Sequence, residues 1–274
     1  MIIWIASYPK SGNTWVRSFL SSYIFNQGKK FNFEDLKKIR SFPSDEEINF
    51  LKQKFGNYKF THMAENWDFF QKGIIKKNKY TFLKTHNALC NVKGNDFTNL
   101  DNTLGLIYLI RDPRDVLISY SSHLNLDLKT TSKLMTNLNI MEKTPDFFDR
   151  TLLSSWSNHY NSWKHFPGNK IIIKYEDLID NPKSTFLTIL KFLNKIMDVQ
   201  INEDLISKTI NLVAFKELKK LEKIKGFPEY RSLNDNNIFF KEGTKNQWKE
   251  KLPKELQFLM IDYFKNEMQE NGYI

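Results

Sequence analysis

Met1-Ile-Ile-Trp-Ile-Ala-Ser-Tyr-Pro-Lys-Ser-Gly-Asn-Thr-Trp-Val-Arg17 opens the chain and carries its strongest structural signal. Met1 to Ala6 is a short apolar run bounded by turn residues, which predicts a buried strand. Ser7 to Gly12 is turn chemistry, with Pro9 fixing one backbone angle and Gly12 open to conformations that other residues avoid. From Thr14 an apolar period begins, placing Trp15, Phe19, Leu20 and Tyr23 or Ile24 on one helical face. Strand, tight loop and helix in that order aim backbone N–H groups and the positive end of a helix dipole at one point. Lys10, Ser11 and Thr14 add a cation and two hydroxyls, so the loop reads as an anion site.

The nucleoside-triphosphate loop, G-x-x-x-x-G-K-[ST], is the obvious comparison, and this chain does not match it. Its lysine precedes the only glycine, and no Gly-Lys-Ser/Thr follows. The bland alternative is an ordinary strand–helix turn carrying a surface lysine.

Composition narrows the classes. The 274 residues are 41% hydrophobic, enough for a globular core and too apolar for disorder. One cysteine, Cys90, leaves no internal disulfide and no Cys/His cluster, so no metal is expected. No basic n-region precedes the first apolar run, and no stretch approaches the roughly twenty apolar residues of a membrane span, so a cytoplasmic protein is expected. Forty-one Lys and Arg against 31 Asp and Glu leave a charge of +10. That excess suits either a lysine-solvated surface or an anionic partner. The basic residues are scattered and no nucleic-acid motif appears, so nucleic acid is not expected.

Further strands follow. Tyr80 to His86 predicts a second strand; if the sheet is parallel, Lys84 and His86 emerge at its carboxyl end beside the Ser7–Thr14 loop, where open α/β sheets take their ligands. Alternation places both on one side, a plausible electrophile and acid–base pair. Leu104 to Ile110 is fully apolar, as a buried parallel strand should be. It ends at Arg111, after which Asp112 or Pro113 begins a helix carrying Ser119 two turns on. The planar fork of an arginine suits a phosphate. Lys170 to Leu178 predicts a fourth strand, and Asp180-Asn-Pro182 opens the next helix. Between these lie weak helical signals at 33–39 and 45–55, the second opened by a Ser44…Glu47 capping box. Residues 121–150 read as a polar helical excursion near an acceptor pocket. The Trp156/Trp163 stripe reads as core, with His159 and His165 structural and His62 a satisfied polar group. Leu205 to Leu218 continues as helix, residues 226–237 are a candidate lid, and Pro253 to Gln269 is a closing amphipathic helix.

Tyr8-Pro-Lys-Ser-Gly-Asn-Thr-Trp15 resembles the 5′-phosphosulfate loop of the cytosolic-type sulfotransferases, which use 3′-phosphoadenosine 5′-phosphosulfate (PAPS) as sulfuryl donor and release adenosine 3′,5′-bisphosphate (PAP). Lys84-Thr-His86 resembles the family motif whose histidine is the catalytic base. Arg111-Asp-Pro-Arg-Asp-Val-Leu-Ile-Ser119-Tyr120 resembles its 3′-phosphate segment. Lys241-Glu-Gly243, with Trp248, resembles its C-terminal phosphate loop. These matches run in family order across residues 7–248. The resemblance implies Lys10, Ser11, Gly12, Asn13, Thr14 and Trp15 around the donor, Arg111 and Ser119 on its 3′-phosphate, and Tyr175, with Phe215 opposite Trp15, on the adenine. It implies Lys241 and the Gly243 backbone at the phosphate, and a catalytic set of His86, Lys10, Lys84 and Ser119. The chain departs from the pattern at Asn13 and Val213, where the family has Thr, at Glu242, where it is basic, and at Asn246, where it has Gly. The proline that often follows the histidine is missing, as is a recognisable dimerisation motif, so the oligomeric state stays open.

The fold expected is α/β: one domain over residues 1–274, a central parallel β-sheet flanked by helices, P-loop-nucleotide-kinase-like. The function expected is sulfuryl transfer from PAPS to a small-molecule acceptor, an alcohol, phenol, lipid, saccharide or amine. A nucleotide kinase and a catalytically silent nucleotide-binding protein are the rivals.

Overall fold

The structure, a computed structural model, describes residues 1–75, 80–143, 149–229 and 238–274. Strand β1 (Ile2–Ser7) leads through the loop into helix α1 (Asn13–Leu20), which runs on as a π-helical turn at Ser21–Phe25. A 3₁₀ segment (Phe33–Ile39) and α2 (Asp45–Phe55) follow, α2 opened by the reciprocal Ser44–Glu47 capping box that the sequence signals. Helix α3 (Phe60–Ile75) precedes β2 (Thr81–Thr85), the small hairpin β3 (Asn91–Val92) and β4 (Asn95–Asp96), and β5 (Thr103–Ile110). Next come α4 (Pro113–Leu124), α5 (Leu128–Thr136), the antiparallel pair β6 (Met141–Lys143) and β7 (Asp149–Leu152), α6 (Trp156–Lys164) and β8 (Lys170–Lys174). Helices α7 (Tyr175–Asp180), α8 (Pro182–Ile196), α9 (Glu203–Leu212), α10 (Phe215–Lys225), α11 (Trp248–Lys251) and α12 (Lys254–Glu270) complete the described chain.

The main sheet is wholly parallel in the order β2-β1-β5-β8. Strand β1 is central and buried along its length, which is why its run is unbroken by polar residues. Ile2, Trp4 and Ala6 point to the face packed by α3, α4, α6 and α12, where Trp67, Trp156, Trp163 and Phe264 lie. Ile3 and Ile5 point to the opposite face, packed by α1 and α8 through Val16, Phe19, Phe186 and Leu190. The outer edge of β2 is covered by residues 40–42, through Lys84 N–H to Arg40 O at 2.9 Å and Phe42 N–H to Lys84 O at 2.8 Å. That pairing removes an exposed strand edge.

Four expectations need correction. The fourth strand stops at Lys174, and Tyr175 already begins a helix, so Glu176 and Asp177 stand in a first helical turn rather than in a strand. Residues 205–218 are two helices broken at Val213–Ala214. The helix at 60–75, whose apolar residues Met63, Ala64 and Trp67 pack inward, replaces an unassigned stretch. The excursion at 121–150 contains the β6–β7 pair as well as α5. Of the candidate lid at 226–237, residues 230–237 lie outside the described residues.

Candidate active site

The loop between β1 and α1 is held in a conformation that few residues accept. Lys10 has φ +67° and Gly12 φ +95°, both in the left-handed region. A Cβ on Gly12 would stand 2.8 Å from Cδ2 of Tyr175, so the loop passes directly over that ring. Asn13 fastens the loop from inside, its Nδ2 donating to Ile5 O at 3.1 Å and to Ser7 Oγ at 3.2 Å. The Asn-for-Thr departure thus gives the loop an internal tie. The first N–H groups of α1 have no partner within the helix. Beside them Ser11 Oγ and Trp15 Nε1 are buried donors without a protein partner, groups that a bound polyanionic nucleotide can satisfy.

Lys10 extends its Nζ to 3.7 Å above the Phe239 ring. Burial, then the nearby Arg111 and Lys241, push its pKa down to about 7. An ammonium so crowded by cations favours an anion beside it. From the next strand, His86 Nδ1 lies 2.7 Å from Ser7 O and 3.4 Å from Ser7 Oγ. A carbonyl only accepts, so Nδ1 carries the proton and Nε2 keeps its lone pair. Burial first, then Lys84, hold the His86 imidazolium well below its ordinary range, although the Ser7 carbonyl pulls the other way. Lys84 is itself lowered by burial, against the carboxylates of Glu229 and Glu142.

Arg111, at the end of β5, joins the loop to the C-terminal segment. Its Nη1 donates to Lys10 O at 3.1 Å and its Nη2 to Thr244 O at 3.0 Å, while its guanidinium lies 4.3 Å over the Tyr175 ring. Its Nε is buried without a partner. Ser119 sits half-buried two turns into α4. One turn further on, Ser122 Oγ accepts a hydrogen bond from Lys241 Nζ, bringing Lys241 to the Ser119 end of that helix. Gly243 has φ +65°, and a Cβ there would meet Phe215 Cδ2 at 2.3 Å, so Gly243 lies flat against that ring. Trp15 packs edge-on to Phe186 at 5.9 Å and Phe215 on Phe240 at 5.8 Å, both bordering the core layer that carries α1 and α8.

The departures from the family pattern have physical readings. Glu242 turns to an ion pair with Lys251, which directs its charge outward. Asn246 stands at φ +61°, a conformation that Asn tolerates best after Gly. Val213 closes α9 as a buried apolar residue.

Several residues that shape the site carry no sequence signal of their own. Asp115, in the first turn of α4, accepts from Asn246 N–H at 2.7 Å and Trp248 N–H at 3.0 Å and thereby docks the C-terminal loop on α4. Arg17, fully buried, donates to Glu229 at 2.7 and 2.6 Å. Burial opposes the charge on Glu229, yet Arg17 holds that carboxyl down to about 2, beside Lys84 and His86. His123 stacks on Tyr120 at 6.4 Å and meets Phe239 edge-on at 6.0 Å, and burial pushes its pKa to about 3. Glu176 accepts from Asp112 N–H and from the Tyr273 hydroxyl, both at 3.1 Å, and so ties the start of α4 to the C-terminal segment. His62 stacks on Phe55 at 4.3 Å, and His165 bonds to Asn161 O at 2.8 Å, both away from this group. Among the described residues no cluster of His, Cys, Asp and Glu could hold a metal ion, and no helix is long and apolar enough to cross a membrane.

A parallel α/β sheet with a cationic strand–loop–helix site, and an imidazole fixed to the same strand end, defines a group-transfer enzyme of the nucleotide-binding kind. The sulfotransferase domain model matches residues 2–272, and the chain belongs to that family of enzymes. It is 22% identical to the luciferin sulfotransferase of Photinus pyralis over 98% of this chain and 72% of that one. It is 26% identical to sulfotransferase 1A1 of Canis lupus familiaris over 89% and 76%, respectively. Among solved structures, retinol dehydratase in complex with androsterone and the inactive cofactor PAP superposes with a TM-score of 0.64 at 19% identity, covering 97% of this chain and 80% of the other. A mouse sulfotransferase complexed with PAP superposes at 0.60 and 16% identity, covering 97% and 84%. These neighbours establish the fold.

Proposed function

We propose that residues 1–274 act as one cytoplasmic sulfotransferase domain that moves the sulfuryl group of PAPS to a hydroxyl, or an amine, of a small-molecule acceptor. The observation that carries this reading is the 2.7 Å contact between His86 Nδ1 and Ser7 O. It fixes the base to the end of the strand that presents the Lys10 loop, so base and donor site move as one body.

In this mechanism His86 Nε2 takes the acceptor proton as the acceptor oxygen bonds to sulfur. The bond from sulfur to the bridging oxygen breaks, and that oxygen leaves with the 3′,5′-bisphosphate. Lys10 supports the charge that grows on the leaving oxygen, and Lys84 that on the sulfuryl oxygens. Arg111, Ser119, Lys241 and the Gly243 backbone serve the phosphates; Ser11, Gly12, Asn13 and Thr14 line the donor loop; Trp15, Phe215 and Tyr175 serve the base. Tyr8, Tyr120, His123 and Phe239 contact one another in series, and Lys10 Nζ lies over the Phe239 ring; in this reading they wall the acceptor side. A planar or apolar acceptor suits such walls. One relative is named for luciferin and another for amines, and solved neighbours hold androsterone or retinol with PAP.

His86→Ala tests the reading: turnover should fall by roughly two to four powers of ten while PAP affinity, measured by calorimetry, stays within about two-fold. Intact turnover, or lost nucleotide affinity, contradicts it.

A further inference from the structure

Strand β2 pairs with β1 only as far as Ala6 and Thr85, so His86 stands one residue beyond the ladder. The next two carbonyls find donors on a single face of α6. His159 Nε2 lies 3.0 Å from His86 O, and one helical turn on, Trp163 Nε1 donates to Asn87 O at 2.8 Å. His159 is fully buried, and its Nδ1 lies 2.8 Å from the Tyr108 hydroxyl on β5. Since the His86 carbonyl only accepts, Nε2 bears the proton and Nδ1 accepts from Tyr108. Tyr8, from the donor loop, packs edge-on to the same ring at 5.6 Å. The residue bearing the base is therefore gripped twice, at its ring by Ser7 and at its backbone by a histidine whose tautomer Tyr108 sets.

We propose that His159, oriented by Tyr108, is a positioning residue for His86; this rests on His86 being the general base. It touches neither donor nor acceptor. It takes the place of the missing ladder bond and keeps the imidazole from swinging with the loop that follows. A base displaced by about 1 Å loses up to about a hundred-fold in rate.

Three variants of the full chain test this. His159→Leu removes the donor, His159→Gln restores an N–H at the Nε2 position, and Tyr108→Phe leaves His159 without its orienting hydroxyl. Turnover with a fixed acceptor, calorimetric PAP affinity and the NMR signals of the His86 ring are read for each. His159→Leu should lower kcat about 10- to 100-fold, with PAP affinity unchanged within about two-fold and the His86 ring signals shifted or broadened. Gln should recover most of kcat, and Tyr108→Phe should lose several-fold. If His159→Leu does not fold, Tyr108→Phe and His159→Gln decide. Unchanged kcat in His159→Leu and Tyr108→Phe, or a parallel fall of kcat and PAP affinity that Gln fails to rescue, overturns the proposal. His86→Ala run alongside separates the two readings. If it stays active the base assignment fails, while an unperturbed His86 ring in His159→Leu rejects the positioning role on its own.

Discussion

Donor binding should load a proton onto Lys10. Burial, Arg111 and Lys241 hold this lysine at about 7 in the free protein, whereas a bound polyanion would return it toward the ordinary range near 10.5. The protonated form is the one that binds, so affinity is full below about pH 7, falls as pH rises through the free value, and levels off only above the bound value. At about pH 8, a free pKa of about 7 leaves about nine-tenths of the lysines neutral, so each PAP bound takes up about 0.9 proton. Between about pH 7 and pH 9 the protonated fraction drops from about one half to about one hundredth, and affinity should fall about 50-fold. Calorimetry at pH 8 in two buffers of different ionisation enthalpy measures the uptake directly, and Lys10→Gln should abolish it. An uptake near zero in the wild type, or one that survives Lys10→Gln, refutes the assignment of Lys10 to the donor anion.

Other outcomes follow from the same geometry. Arg111→Lys keeps the charge but not the planar fork that spans Lys10 O and Thr244 O, and PAP affinity by calorimetry should fall roughly 10- to 100-fold. Gly243→Ala drives a Cβ into the Phe215 ring at a positive φ, so thermal unfolding should show a loss of roughly 1–3 kcal/mol together with weaker PAP binding. EDTA should leave initial rates unchanged, since the chain's own cations and backbone N–H groups serve the donor, whereas a nucleotide kinase would stop with its Mg²⁺.

The main sheet was legible because its two central strands, β1 and β5, are apolar runs buried on both faces, and because turn residues mark the loop after β1. The cations and the imidazole at the strand ends were legible too, since Lys10, Lys84, His86 and Arg111 each stand at or just past the end of a strand in a local pattern. What the sequence hides is the long-range ties. Asp115 docks a loop more than a hundred residues away, and Arg17 pairs with Glu229 across the fold, neither with a local signature. His159 belongs to a helical stripe that looks like core, and it is core, but its polar edge is spent on the backbone of His86. The fourth strand ends at Lys174 rather than at Leu178 because the two buried apolar residues that follow, Tyr175 and Leu178, stand at helical spacing, while Glu176 accepts from Asp112 N–H. Asn246 shows the converse case: a departure in sequence that leaves the backbone where a glycine would hold it.

In the proposed mechanism one cationic site delivers a sulfuryl group to an acceptor activated by His86. Incubation of the wild-type chain with ³⁵S-labelled PAPS and a panel of phenols, alcohols and amines, with label in product and PAP released both counted, tests it most directly. Label transfer matched one-for-one by PAP, and lost in His86→Ala, is the expected result. PAP release without labelled product, or a chain that takes up no PAPS at all, contradicts it.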